Sequence, residues 1–243
     1  MNFNKLAESF ANIKSRPRCA AIIVAAGSST RMGGVDKLSA SLGGKPALLR
    51  TLQAFEDCKC IDEIVVVVQQ KRITGVDALC RANELHKVTA IVAGGETRTE
   101  SALAGLECAG KKIRLAAIHD GARPLVTADI IERAVLTAAR AGAAAPAIPL
   151  KDTVKRVKDG VVVETPPRSD MISVQTPQVF DKDFIEGALF QALEQGIPLT
   201  DDCSAAERLG LKVHLTEGSE ENLKITTPLD LALANLIWEE RRK

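Results

Sequence analysis

Four short apolar runs punctuate the first half of the chain, and stretches of helical spacing separate them. The runs are CAAIIVAA (19–26), IVVVV (64–68), VTAIVA (88–93) and LAAIH (115–119). They are nearly continuous rather than alternating, as strands covered on both faces of a parallel sheet should be. The segment 46–57 begins with Pro near its first turn. In 97–109, Ala102, Leu103, Leu106 and Ala109 recur at helical spacing. The segment 127–141 has Thr127 as N-cap and Gly142 as stop. This βαβα order predicts an α/β fold with a doubly wound, mostly parallel sheet.

The pattern then changes. TVKRVKDGVVVETPPR (153–168) places Asp159-Gly160 between β-branched runs, a strong hairpin signal. This hairpin falls outside the alternation and predicts an arm projecting from the sheet. An apolar arm of this kind pairs with a second copy in a symmetric dimer. Helical spacing resumes at 183–195. DDCSAAERLG predicts a further helix, with Thr200 or Asp201 as cap and Gly210 as stop. KVHLTEG is a strand candidate, and 228–238 a last helix. The organisation is an N-terminal extension (1–18) and one domain (19–243), with the arm at about 151–172.

Composition narrows the possibilities. The chain has 243 residues, enough for one full α/β core, and a formal net charge of +1. No global field attracts nucleic acid or a membrane surface. Aromatics are 3% with no Tyr, which leaves no stacking platform for single strands. The six cysteines include one C-x-C, Cys58 and Cys60, without a second pair at metal spacing. They read as reduced thiols of a cytosolic protein, in the bacterial cytosol or, alternatively, a plastid stroma. No apolar run reaches the roughly 20 residues that span a bilayer.

The first run ends in VAAGSSTRMGGVDK (24–37). Gly27 lets the backbone approach a ligand closely, and successive N–H groups in such a turn form an anion nest. Arg31 and Lys37 add full charge. Neither the P-loop spacing nor the dinucleotide fingerprint is present, because Met32 stands five residues after Gly27 and Ser28-Ser29 follow it directly. AGGETRTES (93–101) follows the third run, with a hydroxyl at Ser101. HDGARP (119–124) ends the fourth, where a parallel sheet binds its ligands, so Asp120 and Arg123 are well placed. No Ser/His/Asp triad is recognisable.

The loop resembles the A-A-G-x-x-x-R-M signature of sugar and alcohol nucleotidyltransferases. With GGETRTESALAGL, HDGARP, KDTVKR, the run from Arg168 to Gln178, TDDCSAAE and NLKIT in this order, the chain resembles the 2-C-methyl-D-erythritol 4-phosphate cytidylyltransferase family. The resemblance implies a Rossmann-like nucleotidyltransferase fold with a dimerising hairpin arm. It implies cytidylyl transfer from CTP to the sugar-alcohol phosphate, with release of pyrophosphate and with Mg²⁺, in non-mevalonate isoprenoid biosynthesis. Ala25, Ala26, Gly27, Gly95, Glu96 and Ser101 would line the nucleoside pocket. Arg31 and Lys37 would grip the triphosphate, and Asp120 would meet the ribose and the metal surroundings. Arg123, Thr153, Arg168, Thr176 and Lys224 would hold methylerythritol phosphate. Arg31, Lys37, Arg168 and Lys224 would be the catalytic charges. The chain departs from the family pattern at Asp36, Leu38, Glu96, Glu221 and Cys203, none of which removes a catalytic charge. The rivals are a ribitol-5-phosphate cytidylyltransferase, a nucleotide-dependent oxidoreductase and a non-catalytic nucleotide-binding scaffold.

Overall fold

A computed structural model describes residues 16–27 and 37–243. The eight-stranded sheet grows outward from β1 (Cys19–Ala25). After it in the chain, β2 (Ser41–Leu42) and β3 (Lys45–Pro46) form a two-stranded sheet of their own; β1 itself pairs in parallel with β4 (Glu63–Val68) on one side and β6 (Leu115–Asp120) on the other. Beyond β4 lies β5 (Val88–Ala93), also parallel. Beyond β6 the direction reverses, because β11 (Gln178–Asp181) runs antiparallel to both β6 and β7 (Ala143–Pro149). Two more strands join β7: β10 (Ile172–Val174), antiparallel, and β12 (His214–Glu217), parallel.

Alternation along β1 sorts its side chains between two cores, since successive residues of a strand face opposite ways. Cys19, Ala21, Ile23 and Ala25 pack under α1 (Ala47–Asp57), α2 (Ile73–Ala82) and α4 (Ala128–Ala141). Ala20 and Ile22 pack under α3 (Arg98–Glu107), α5 (Lys182–Glu194) and α6 (Asp202–Arg208). Burying one such isoleucine contributes about 1.5–3 kcal/mol. Gly105 brings α3 close to the sheet: a Cβ there would collide with the methyls of Ile22 and Val67. The helix α7 (Pro228–Glu240) forms a smaller core with Leu42, Ala47, Leu125 and Ile225.

The expected hairpin is present as β8 (Arg156–Lys158) and β9 (Val161–Glu164), a separate two-stranded sheet with every residue exposed. Asp159 and Gly160 both take positive φ, 50° and 78°. That pair of left-handed residues is the tight hairpin turn that matches strand twist.

The structure corrects several expectations. The run 88–93 is not covered on both faces: β5 is the edge strand, and none of its residues is fully buried. The strands β7, β10 and β11 and the helix α2 lie where the pattern predicted no element. Thr127 holds the N-cap position of α4 without a side-chain cap bond, although Gly142 does end that helix at a φ of 87°. Asp201, not Thr200, caps α6, through a capping box with Ser204. All six cysteines are free thiols, and the Sγ atoms of Cys58 and Cys60 touch at 3.2 Å in the core.

Candidate active site

The register decides where the site is. Val24 stands beside Asp120, Ala25 beside Val68, and Val68 beside Ala93. The carboxyl ends of β1, β4, β5 and β6 therefore meet at one rim. A cleft of about 590 Å³ opens there. It is lined by Ala25, Ala26, Gly27, Lys37, Gly95, Glu96, Ser101, Asp120 and Lys224, as expected from the sequence, and also by Gln69, Thr97, Arg98 and Ala122. A second cleft of about 670 Å³ lies along the β5 edge, against α2. It sits beside the sheet rather than at the strand ends, where ligands of open α/β sheets bind.

The nucleoside-side wall is built by close approach. A Cβ on Gly94 would collide with the Ala26 methyl and lie 2.6 Å from the Ser101 Oγ. Only glycine lets the loop after β5 pass between the first loop and α3. A capping box then starts α3: Thr97 accepts from the Glu100 amide, and Glu100 accepts from that of Thr97. One turn in, Ser101 donates its hydroxyl proton to the Thr97 carbonyl at 2.9 Å, leaving the oxygen's lone pairs beside the cleft.

Asp120 is the electrostatic centre. Its side chain is only 9% exposed, yet three cations surround it. Lys224 Nζ lies 3.0 Å from Oδ2, Arg123 Nε 3.4 Å from the same oxygen, and Arg98 Nε 3.5 Å from Oδ1. Burial favours the neutral acid, but Lys224, then Arg98 and Arg123, override it and hold the carboxyl well below the usual range. Lys224 is brought here by the backbone, because the next amide, that of Ile225, donates to the Ala122 carbonyl at 2.8 Å.

Behind Asp120 runs a buried polar relay. The Asp120 amide donates to the Thr176 Oγ1 at 3.1 Å. The Thr176 hydroxyl, 3.0 Å from His119 Nδ1, then donates to that nitrogen. This leaves the proton on Nε2, which faces the Arg123 carbonyl at 3.3 Å. Burial pushes the His119 pKa down to about 3, so the imidazole is neutral. Thr176 and Arg123 thus frame the turn after β6 from behind rather than lining the cleft. Arg123 reaches back to the Asn222 carbonyl at 2.6 Å.

The other expected residues fall elsewhere. Arg31 and Asp36 lie outside the described residues. Thr153 and Arg168 are exposed at the base of the hairpin, with Arg168 donating to the Lys151 carbonyl at 2.9 Å. Neither lines the cleft within this chain. Sequence reasoning missed Arg98. Its signal was electrostatic: an arginine at the first position of a helix opposes the helix dipole and needs another reason to be there.

The model of the 2-C-methyl-D-erythritol 4-phosphate cytidylyltransferase family (IspD) matches residues 19–240. The chain belongs to that family. It is 43% identical, over 224 residues, to the 2-C-methyl-D-erythritol 4-phosphate cytidylyltransferase of Symbiobacterium thermophilum, covering 91% of this chain and 93% of that one. The cytidylyltransferase of Caldanaerobacter subterraneus is 44% identical over 223 residues, covering 89% and 96%. Among solved structures, the 4-diphosphocytidyl-2C-methyl-D-erythritol synthase from Anaerococcus prevotii matches with a TM-score of 0.82 at 30% identity, covering 91% and 96%. The Thermus thermophilus cytidylyltransferase matches at 0.74 and 31%, covering 91% and 99%. These likenesses favour the methylerythritol cytidylyltransferases over the ribitol phosphate alternative. The α/β nucleotidyltransferase fold expected from the sequence is the one observed.

Proposed function

We propose that the cleft at the strand ends is where this cytidylyltransferase joins CTP to 2-C-methyl-D-erythritol 4-phosphate. The products are 4-diphosphocytidyl-2-C-methyl-D-erythritol and pyrophosphate. The observation that carries the assignment is convergence. Backbone from Ala25 to Gly27, the hydroxyl oxygen of Ser101, Lys37, Asp120 and Lys224 all meet around one cleft. The Ser101 oxygen would accept from the cytosine amino group, and Gly95 and Glu96 would close the nucleoside side. Lys37, with Arg31, would face the triphosphate.

The reaction needs positioning more than acid–base work. A phosphate monoester has its second pKa near 6 and is largely a dianion at neutral pH. One of its oxygens attacks the CTP α-phosphorus. A new P–O bond forms, and the bond to the β-phosphate oxygen breaks. Pyrophosphate leaves with that electron pair. Two anions must meet, so fixed cations supply the catalysis. Removing a cation that faces the charge developing on the triphosphate, as Arg31 or Lys37 would, costs about 2.7–4 kcal/mol of barrier. Lys224 would hold the attacking phosphate, with Arg123 and Thr176 supporting the turn behind it.

The family resemblance implies Mg²⁺. Among the described residues, no three His, Cys, Asp or Glu side chains form a metal cage. Both oxygens of Asp120 already face cations. This donor set fits an ion borne by the nucleotide that touches one carboxylate. Asp120 would hold it, and the ion would neutralise part of the triphosphate charge.

A homodimer through the hairpin is part of the same reading. Val157, Val161, Val162 and Val163 are 46–65% exposed on it, an apolar surface that a second copy would cover. Pairing there would let Thr153 and Arg168 serve the partner's cleft. A cytosolic location fits the free thiols. The test is pyrophosphate release from CTP and Mg²⁺ with methylerythritol phosphate or ribitol phosphate, and with ATP or UTP in place of CTP. Release only with CTP and methylerythritol phosphate supports the assignment, and release with neither acceptor refutes it.

A further inference from the structure

Arg98 sits at the N-terminal position of α3, where a cation gains nothing from the helix dipole. What holds it is Asp202. The guanidinium forks onto that carboxylate, Nη1 to Oδ1 at 2.8 Å and Nη2 to Oδ2 at 2.7 Å. Asp202 is 1% exposed and is itself fixed: its amide donates to the Gln178 Oε1 at 3.0 Å, as does the next amide. Of the three N–H donors the fork leaves, the one on Nε meets the Asp120 Oδ1. Lys224 and Arg123 approach the other Asp120 oxygen. The five side chains comprise three cations and two carboxylates, linked in a row from Asp202 to Lys224.

We propose that Arg98 is a positioning residue: anchored by Asp202, it fixes the Asp120 carboxylate and, through it, the placement of Lys224 at the acceptor side of the cleft. This rests on the functional reading above. The bidentate fork supplies the direction, since a planar guanidinium held by two bonds can point its Nε–H only one way. A lysine there could keep the charge but not the angle. The pair also explains why two segments about a hundred residues apart, GETRTES and TDDCSAAE, belong to one site.

A buried ion pair can be replaced by apolar residues with little change in stability, whereas removing one partner orphans the other. The decisive variant is therefore the double substitution Arg98→Met with Asp202→Leu, beside Arg98→Lys. The double variant should unfold near the wild-type temperature. Its KM for methylerythritol phosphate should rise about tenfold or more, the loss expected of a displaced charge-assisted bond. Its CTP affinity, measured by calorimetry without divalent cation so that the ion assigned to Asp120 does not enter, should stay within about threefold. Arg98→Lys should fall between. A wild-type KM would mean the pair is only structural. An equal loss of CTP affinity would make Arg98 a direct nucleotide contact. Either result overturns the proposal. Should the double variant not fold, Arg98→Lys decides by the same two readings. A crystal structure of the folded variant needs no activity. Asp120 turned away from Lys224 supports positioning, and an unchanged contact refutes it even if the acceptor assignment proves wrong.

Discussion

Lys224→Ala separates the two halves of the cleft. The ammonium lies 3.0 Å from Asp120 Oδ2 and is 37% exposed. Its removal does not orphan Asp120, because Arg98 and Arg123 still flank that carboxylate. The fold should survive, and what disappears is one cation for the acceptor phosphate. A charge-assisted hydrogen bond of this kind contributes about 1.5–3 kcal/mol, and each 1.4 kcal/mol is about a factor of ten. The expected loss in kcat/KM for methylerythritol phosphate is therefore about tenfold to a hundredfold. The assay follows pyrophosphate release at saturating CTP with the acceptor varied, and calorimetry measures CTP binding to the same variant. Near-normal CTP affinity is expected. A kcat/KM within about threefold of wild type, or a parallel collapse of CTP binding, would refute the division of the cleft.

Gly94→Ala should weaken CTP binding more than acceptor binding, since the added methyl drives against Ala26 and Ser101; unchanged CTP titrations would show that the wall yields. Acid should destabilise the protein through His119. Its folded pKa, about 3, lies below the unfolded value of 6.5, so between these limits the unfolded chain binds more protons and stability falls as pH falls, by up to about 1.4 kcal/mol per pH unit. Denaturant melts at pH 6.5 and 4.5 should show a smaller difference in His119→Gln than in wild type; equal differences would remove His119 from the account. Val162→Asp, on the exposed hairpin, should leave the chain folded but shift sedimentation from dimer to monomer, and make the melting temperature independent of protein concentration. A wild-type chain already monomeric at assay concentration would remove the dimer.

The half of the fold that was legible in the sequence is the half where each strand carries its own signal. β1, β4 and β6 are continuous apolar runs, buried along almost their whole length. The strand β7 carried none. Its sequence, AAAPAIP, has two prolines and little β-branching, which argues against a strand on local grounds. It is extended because β10, β11 and β12 all pair with it, a tertiary cause that no local window contains. The helix α2 starts with β-branched Ile73 and Thr74 and carries Gly75, so its propensity was weak. For β5 the composition was right and the position unreadable, since an edge strand can look as apolar as a central one. In the site, glycines and charged loops at strand ends pointed to the cleft. Arg98 escaped because its partner, Asp202, is brought to it by the fold, and Asp202 alone looked like one of two acids before a helix.

The two sides of the cleft come from different parts of the chain. The loops after β1, β4, β5 and β6 all lie within the first 127 residues, and they form the wall assigned to the nucleotide. The groups that fix Asp120 from the other side, Thr176, Asp202 and Lys224, arrive about fifty to a hundred residues later. A domain generally folds as a unit, and β11, a late strand, pairs directly with β6. The early wall is thus held in place only with the late strand beside it, and transfer becomes available only when the late segments close over the early ones.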